Sequence, residues 1–273
     1  MLYRGMDRAQ LDLAYNNSAA VTTVDAIRAD WDIRSARVRQ RQRGHLDLVY
    51  GRGARQRLNL FLADSRSAPT LMFIHGGYWQ NNDKERFDFI AEGPLAHGIN
   101  VANIEYTLAP EARLDQIVSE IRQAVVWLAK HLGSYDADPA RIYVSGHSAG
   151  GHLTASTMDL GEVKGGLAIS GLYDLEPIRL NYLNLKLRLD VDAARRNSPI
   201  LHLPAAAGQL VIAYGAAELP ELCRQSIDFA KVWIEGGLPG TLMSVSGANH
   251  FSILESLADP TGELTRAVVR MVS

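Results

Sequence analysis

A single cysteine, Cys223, is all the sequence offers, so an internal disulfide and a multi-cysteine metal site are both excluded. A chain this poor in cysteine is consistent with a reducing compartment. No stretch approaches the roughly 18 uninterrupted apolar residues that a transmembrane helix requires. The N-terminal MLYRGMDRAQLDLAY lacks the apolar run of a signal peptide, and a cytoplasmic protein is the expectation. Neither sign of charge dominates: 28 basic residues face 30 acidic ones, for a net charge of −2. That balance supplies no general attraction to nucleic acid or to an anionic membrane. Internal repeats and low-complexity segments are missing as well. So are the common cofactor signatures. GHSAGG has no phosphate-loop lysine, GRGARQ lacks the third glycine of a dinucleotide fingerprint, and there is no H-E-x-x-H for zinc. No cofactor and no metal are expected.

What is present is an ordinary globular composition, 47% apolar and 21% charged over 273 residues. A chain of this size hides roughly three-quarters of its unfolded surface, enough for a sizeable core. One domain over residues 1–273 is expected, opening with a helical segment over 1–45. The one basic cluster, RSARVRQRQR, holds Arg34, Arg37, Arg39, Arg41 and Arg43. It lacks the interleaved aromatics of a nucleic-acid patch and reads as a solvated face or a linker after an N-terminal helix.

From residue 46 strands alternate with helices. LDLVY (46–50) and RLNLFLA (57–63) read as a hairpin across GRGARQ. TLMFI (70–74) is nearly continuous in apolar residues, as a strand buried on both faces should be. A helix over 84–97 precedes the strand 100–106. Ile117, Ile121, Ala124, Val125, Leu128 and Leu132 then recur at spacings of three and four, predicting an amphipathic helix. Strands follow at 141–145, 166–170, 209–215 and 241–247, with helices from 149 and over 221–236. This order predicts an α/β fold with an open, mostly parallel sheet and helices on both faces. Residues 174–208 interrupt it with a leucine-rich insertion, too short for a domain and read as a lid.

In such sheets sites form at the carboxyl ends of the strands. YVSGHSAGGHL (143–153) places Ser148 in G-x-S-x-G, the tight strand-to-helix turn of a nucleophile elbow. HGGYW (75–79) follows the strand ending at Ile74, and its adjacent glycines free backbone amides to serve an oxyanion. A serine hydroxyl needs a base. Of eight histidines, His250 follows the last strand, at the same sheet edge as Ser148. His147 and His152 flank the serine but read as structural, and His45, His97, His131 and His202 have no partner pattern. The acid that orients a triad histidine follows the penultimate strand, where AAELPEL offers Glu218 and Glu221. Glu218, nearer the strand end, is the preferred candidate. Ser148, Glu218, His250 is the chain order of nucleophile, acid and base in α/β-hydrolases.

Together these motifs resemble those of the kynurenine formamidase (arylformamidase) group of α/β-hydrolases, related to hormone-sensitive-lipase-type esterases. The resemblance runs through HGGYWQ (75–80), GHSAGGHL (146–153), SGLYDLEP (170–177), RNSP (196–199), PELCRQS (220–226) and NHFSILE (249–255). It implies Ser148 as nucleophile, His250 as base and Glu218 as acid. Gly76, Gly77 and the amide of Ala149 would form the oxyanion hole, with the Tyr78 amide as a further donor. The family has aspartate where this chain has Glu218, whose extra methylene requires a different approach to the imidazole. The implied activity is hydrolysis of a small aryl amide or ester, with N-formylkynurenine as leading substrate and a short-acyl carboxylesterase as the alternative. Tyr78, Trp79, Tyr173 and Phe251 are candidate pocket walls. The expected partner is a small molecule, not nucleic acid or membrane, and a homodimer is compatible with the sequence.

Overall fold

A computed structural model describes residues 1–273. Its centre is an eight-stranded sheet in the order β1-β2-β4-β3-β5-β6-β7-β8. The strands are β1 Gly44–Val49, β2 Arg57–Phe61, β3 Ala68–Ile74, β4 Asn100–Ile104, β5 Ala137–His147, β6 Val163–Ile169, β7 Gln209–Gly215 and β8 Gly240–Val245. Only β2 runs against its neighbours; from β4 to β8 the pairing is parallel throughout. This is the mostly parallel α/β sheet that the alternation of strands and helices predicted.

Period-two alternation along the strands divides the core in two. Met72, Ile74, Val144 and Ile212 face one hydrophobic cluster, while Leu71, Phe73, Tyr143 and Val211 face the other. The helices Leu114–His131, Ala149–Ala155 and Pro220–Glu235 pack on the first face. Ile117, Ile121, Ala124, Val125 and Leu128 are buried there, the stripe read from their spacing. Removing one such side chain, as in Ile121→Ala, should cost about 2–5 kcal/mol. The second face is covered by the helices Val24–Arg41 and Glu263–Val272.

Three features differ from the sequence reading. The arginine cluster, read as a solvated face or a linker, lies on the helix Val24–Arg41 except for Arg43; Arg37, Arg41 and Arg43 are exposed, but the cluster is not a linker after the helix. Two of its members fasten that helix to the body: Arg34 bonds Glu92 and Glu255, each at 2.6 Å, and Arg39 bonds the fully buried Asp88 at 2.8 Å. The expected helix over 84–97 is a 3₁₀ segment, Lys84–Ala91, followed by one α turn, Glu92–Leu95. Tertiary partners hold its backbone in that form. The buried Ser35 hydroxyl donates to the Arg86 carbonyl at 2.8 Å and accepts from the Phe89 amide at 3.0 Å. Finally, residues 174–208 form short helical turns whose Leu175, Ile178, Leu187 and Leu189 are buried in the first core cluster. Leu175, Leu183, Leu187 and Leu189, read as part of a lid, are core anchors, while Leu185 and Leu201 are exposed. No helix is long and apolar enough to cross a membrane.

Candidate active site

The turn between β5 and the helix Ala149–Ala155 is a single residue, Ser148, with φ 57° and ψ −115°. A non-glycine residue held there stores on the order of 1–3 kcal/mol of strain, which surrounding packing must impose. Packing does impose it. A Cβ on Gly146 would overlap the Gly150 carbonyl, and one on Gly150 would overlap the Ile74 carbonyl. The glycines around the serine are therefore spacing requirements of a crossing between β5, β3 and the helix. As the first residue of its helix, Ala149 has no carbonyl one turn back, and its amide donates to no protein group.

His250 lies on the loop after β8. Asn249 shapes that loop: its side-chain oxygen accepts from the Phe251 and Ser252 amides, both at 2.9 Å. His250 Nδ1 meets Glu218 Oε2 at 2.7 Å. The other carboxylate oxygen, Oε1, accepts from the Ser170 hydroxyl at 2.5 Å and the Gly215 amide at 2.6 Å. The Glu218 side chain is fully buried and held from three directions, so its extra methylene costs no freedom at the contact. Glu221 is engaged elsewhere, accepting from Tyr15 at 3.1 Å and from Arg224 at 2.8 Å. Ser148 and His250 line one cavity, with no direct hydrogen bond between their side chains; in such sites that contact often tightens only when substrate is present.

The two histidines flanking the serine are both buried. His147 Nε2 donates to the His250 carbonyl at 2.7 Å, and burial, aided by His250, holds the ring's pKa well below the usual histidine range. His152 Nε2 donates to the Asn197 carbonyl at 2.8 Å, and burial brings its pKa down to about 4. Both are neutral at pH 7.

The loop after β3 runs through three consecutive positive φ values, 120° at Gly77, 51° at Tyr78 and 59° at Trp79. Its first peptide is pinned. The Gly76 carbonyl accepts from His75 Nδ1 at 2.8 Å and from Asn82 Nδ2 at 3.1 Å. Because a trans peptide directs its N–H opposite to its C=O, those two contacts also aim the Gly77 amide. The amides of Gly77 and Tyr78 donate to no protein group, and both residues line the Ser148 cavity with Gly76. Unpaired amides beside a serine are what an oxyanion requires. His75 in turn contacts Glu105 Oε1 at 3.1 Å, which Arg55 also bonds at 2.6 Å. Burial pushes the Glu105 carboxyl up, but His75 and Arg55 outweigh it and leave its pKa below the ordinary value.

The cavity measures about 380 Å³, within the range of small-molecule sites. Of the four candidate wall residues, Tyr78 and Phe251 line it. Trp79 and Tyr173 do not. Trp79 is fully buried with its ring edge-on to His152, and Tyr173 stacks on Phe229 with centroids 4.1 Å apart. Their places are taken by residues of the N-terminal segment, Asn17, Ser18, Arg28 and Trp31, which no motif in the sequence marked. No residue of 174–208 touches the cavity. Among its His, Cys, Asp and Glu side chains, the structure brings together no group of three that could hold a metal ion.

Comparison with known proteins adds to this geometry. Residues 58–164, which include the glycine loop and the serine turn, match the family described as BD-FAE. The kynurenine formamidase of Danio rerio is 30% identical over 99% of this chain and 98% of its own. That of Salmo salar is 34% identical over 83% of this chain and 81% of its own. A solved structure from Silicibacter sp. TM1040, provisionally described as a thioesterase, is 31% identical with a TM-score of 0.85, covering 96% of this chain and 99% of that one. Esterases at 17% and 19% identity share the fold alone.

Proposed function

The chain belongs to the kynurenine formamidase family of α/β-hydrolases, and from that premise we propose that it is a serine hydrolase removing a formyl group from an aryl amide, with N-formylkynurenine as leading substrate. The carrying observation is the 2.7 Å contact between Glu218 and His250, a residue that lines the same cavity as Ser148. Glu218 fixes the imidazole so that Nδ1 carries the proton and Nε2 is free to accept one. His250 takes the Ser148 proton as the oxygen attacks the formyl carbon. The amides of Gly77 and Ala149, with Tyr78 beside them, stabilise the tetrahedral oxyanion. His250 returns the proton to the aryl nitrogen as the C–N bond breaks. A water, deprotonated by His250, then releases formate and frees Ser148. On this reading the enzyme acts in the cytoplasm on a small molecule and needs neither metal nor cofactor.

A carboxylesterase for short-acyl esters is the second reading, because Ser148, His250 and the unpaired amides would serve an ester carbonyl as well as an amide one. The reaction centre would be the same and the acyl group different. A non-catalytic binding role on a hydrolase fold has less support, because Ser148 and His250 are both present and line one cavity. A panel of formyl anilides beside acetyl and butyryl aryl esters, assayed on the purified protein, decides among them. Formyl amides as the best substrates support the formamidase. Ester turnover with no amide turnover supports the carboxylesterase, and inertness toward the whole panel the binding protein.

A further inference from the structure

Two arginines and no carboxylate line the cavity that holds Ser148 and His250. They are not equivalent. Arg86 is neutralised by a bidentate pair, its Nε and Nη2 bonding the two Asp32 oxygens at 2.9 and 3.1 Å. Arg28 has no such partner. Its only carboxylate within 4.0 Å is Asp25, at 3.9 Å, and that side chain is 97% exposed. An ion pair in that setting is worth little. One Arg28 donor goes to the Ser18 hydroxyl at 3.0 Å, which leaves most of the guanidinium fork unused. The group lies 5.2 Å from the ring centre of Phe251, the residue next to His250. Burial first, and then the charge of Arg86, push its pKa down, the mark of a cation lacking compensation.

We propose that Arg28 is a specificity residue that binds a carboxylate on the aryl leaving group of the substrate. The inference rests on the formamidase reading, which supplies an aryl leaving group, and adds to it the anionic substituent that the cavity selects. Trp31 and Phe251 form an aromatic wall beside Arg28, so one ligand can place a ring against the wall and its carboxylate on the guanidinium. N-formylkynurenine carries both features on one molecule: an aryl formamide and an amino-acid carboxylate. Arg86 lines the same cavity, but its charge is already paired with Asp32. The exposed location of Asp25 leaves Arg28 free to change partners without stranding a buried charge.

The test compares N-formylkynurenine with its carboxamide, identical except that the carboxylate is neutral. A hydrogen-bonded charge of this kind should favour the acid by tenfold to a hundredfold, roughly, in kcat/KM, chiefly through KM. In Arg28→Gln the preference should fall below about threefold, and Arg28→Lys should restore part of it through charge alone. Equal turnover of acid and amide by the wild-type enzyme overturns the clamp while leaving the formamidase intact. A preference that survives Arg28→Gln but vanishes in Arg86→Gln overturns the assignment to Arg28. If neither formyl compound is hydrolysed, the formamidase reading itself has failed. The clamp is then read from inhibition of p-nitrophenyl acetate hydrolysis by kynurenine against kynurenine amide. A preference for the acid that Arg28→Gln abolishes supports it, and equal inhibition overturns it.

Discussion

His147 donates its Nε2 proton to the main-chain carbonyl of His250 at 2.7 Å, so the residue before the proposed nucleophile holds the residue that carries the proposed base. Two strand-end loops, after β5 and after β8, are thereby tied together behind the cavity. Glu218 grips the same histidine by its ring. The main chain and the side chain of His250 are fixed by different partners, and the two constraints are separable by mutation. His147→Phe keeps the bulk but leaves the carbonyl without its donor, a loss of about 1–3 kcal/mol for a buried group. It should lower kcat on the order of tenfold with KM changed less than about threefold. Wild-type kcat in a variant of reduced melting temperature would assign His147 to stability alone.

Ser148 and His250 are expected to act as one unit. Ser148→Ala and His250→Ala should each remove at least roughly a thousandfold of turnover, and the double variant little more. Activity above about a tenth of wild type in either single variant rules out the proposed mechanism.

Glu218 and Glu221 give opposite expectations. Glu218→Gln should cost roughly 10² to 10⁴ in kcat, because the amide no longer fixes the imidazole tautomer. Glu221→Gln should leave turnover within about twofold and show its effect in stability. It weakens the contact to Tyr15, which joins the N-terminal segment to the helix Pro220–Glu235, and the contact to Arg224 within that helix. The reverse pattern moves the acid to Glu221.

Why Glu218 was legible and Arg28 was not follows from how each is placed. Glu218 sits three residues beyond the end of β7, and its amide bonds the Gly215 carbonyl at 3.1 Å. A strand end fixes such a residue locally, so sequence distance predicts position. The same holds for Ser148 and for the Gly76–Gly77 loop. Arg28 reaches the cavity on a helix that docks from the far end of the chain. Of the eighteen residues of Val24–Arg41, only Val24, Trp31, Ser35 and Val38 are buried. No continuous apolar stripe announces a packed surface. The helix is attached through Arg34 and Arg39, whose carboxylate partners lie dozens of residues away and leave no local signature. The leucines of 174–208 mislead for the converse reason. Their hydrophobicity is plain, but composition does not say whether a segment covers a site or fills a core.

Acid should destabilise the protein through His152. The unfolded chain takes up a proton at this ring near pH 6.5, whereas the folded chain resists it until about pH 4. Its contribution is therefore full above about pH 6.5 and is lost as pH falls through that window, to a total of roughly 3 kcal/mol. His147 acts in the same direction. Asp88 opposes them: burial outweighs its hydrogen bonds and raises its carboxyl to about 6, so its folded form binds a proton first and gains stability as pH falls. Urea unfolding of wild type and His152→Gln at pH 7 and pH 4.5 isolates the histidine. The gap between the two proteins should shift in favour of the variant at the lower pH. A gap independent of pH would mean that His152 is not held neutral.

The width of the proposed acyl site is expected to depend on Tyr78, which lines the cavity. With Trp79 buried in the core, Tyr78 alone of the expected aromatic pair stands beside the free amides of the glycine loop. Its hydroxyl donates to the Tyr15 carbonyl at 2.7 Å and accepts from Asn17 at 3.1 Å, so the ring is tethered at its far end to the N-terminal segment. A tethered ring does not swing aside for a longer acyl chain. One methylene in a closed pocket is worth about 1–3 kcal/mol, and successive methylenes compound. From formyl to butyryl with one aryl leaving group, kcat/KM should fall at least roughly a hundredfold. Tyr78→Ala should recover about tenfold or more of the butyryl rate relative to formyl, and Tyr78→Phe, which releases the tether but keeps the ring, should recover less. A flat profile or a butyryl optimum in the wild-type enzyme would show an open acyl site and make the carboxylesterase the better reading. A steep profile that Tyr78→Ala leaves unchanged keeps the formamidase chemistry and removes Tyr78 as its gauge.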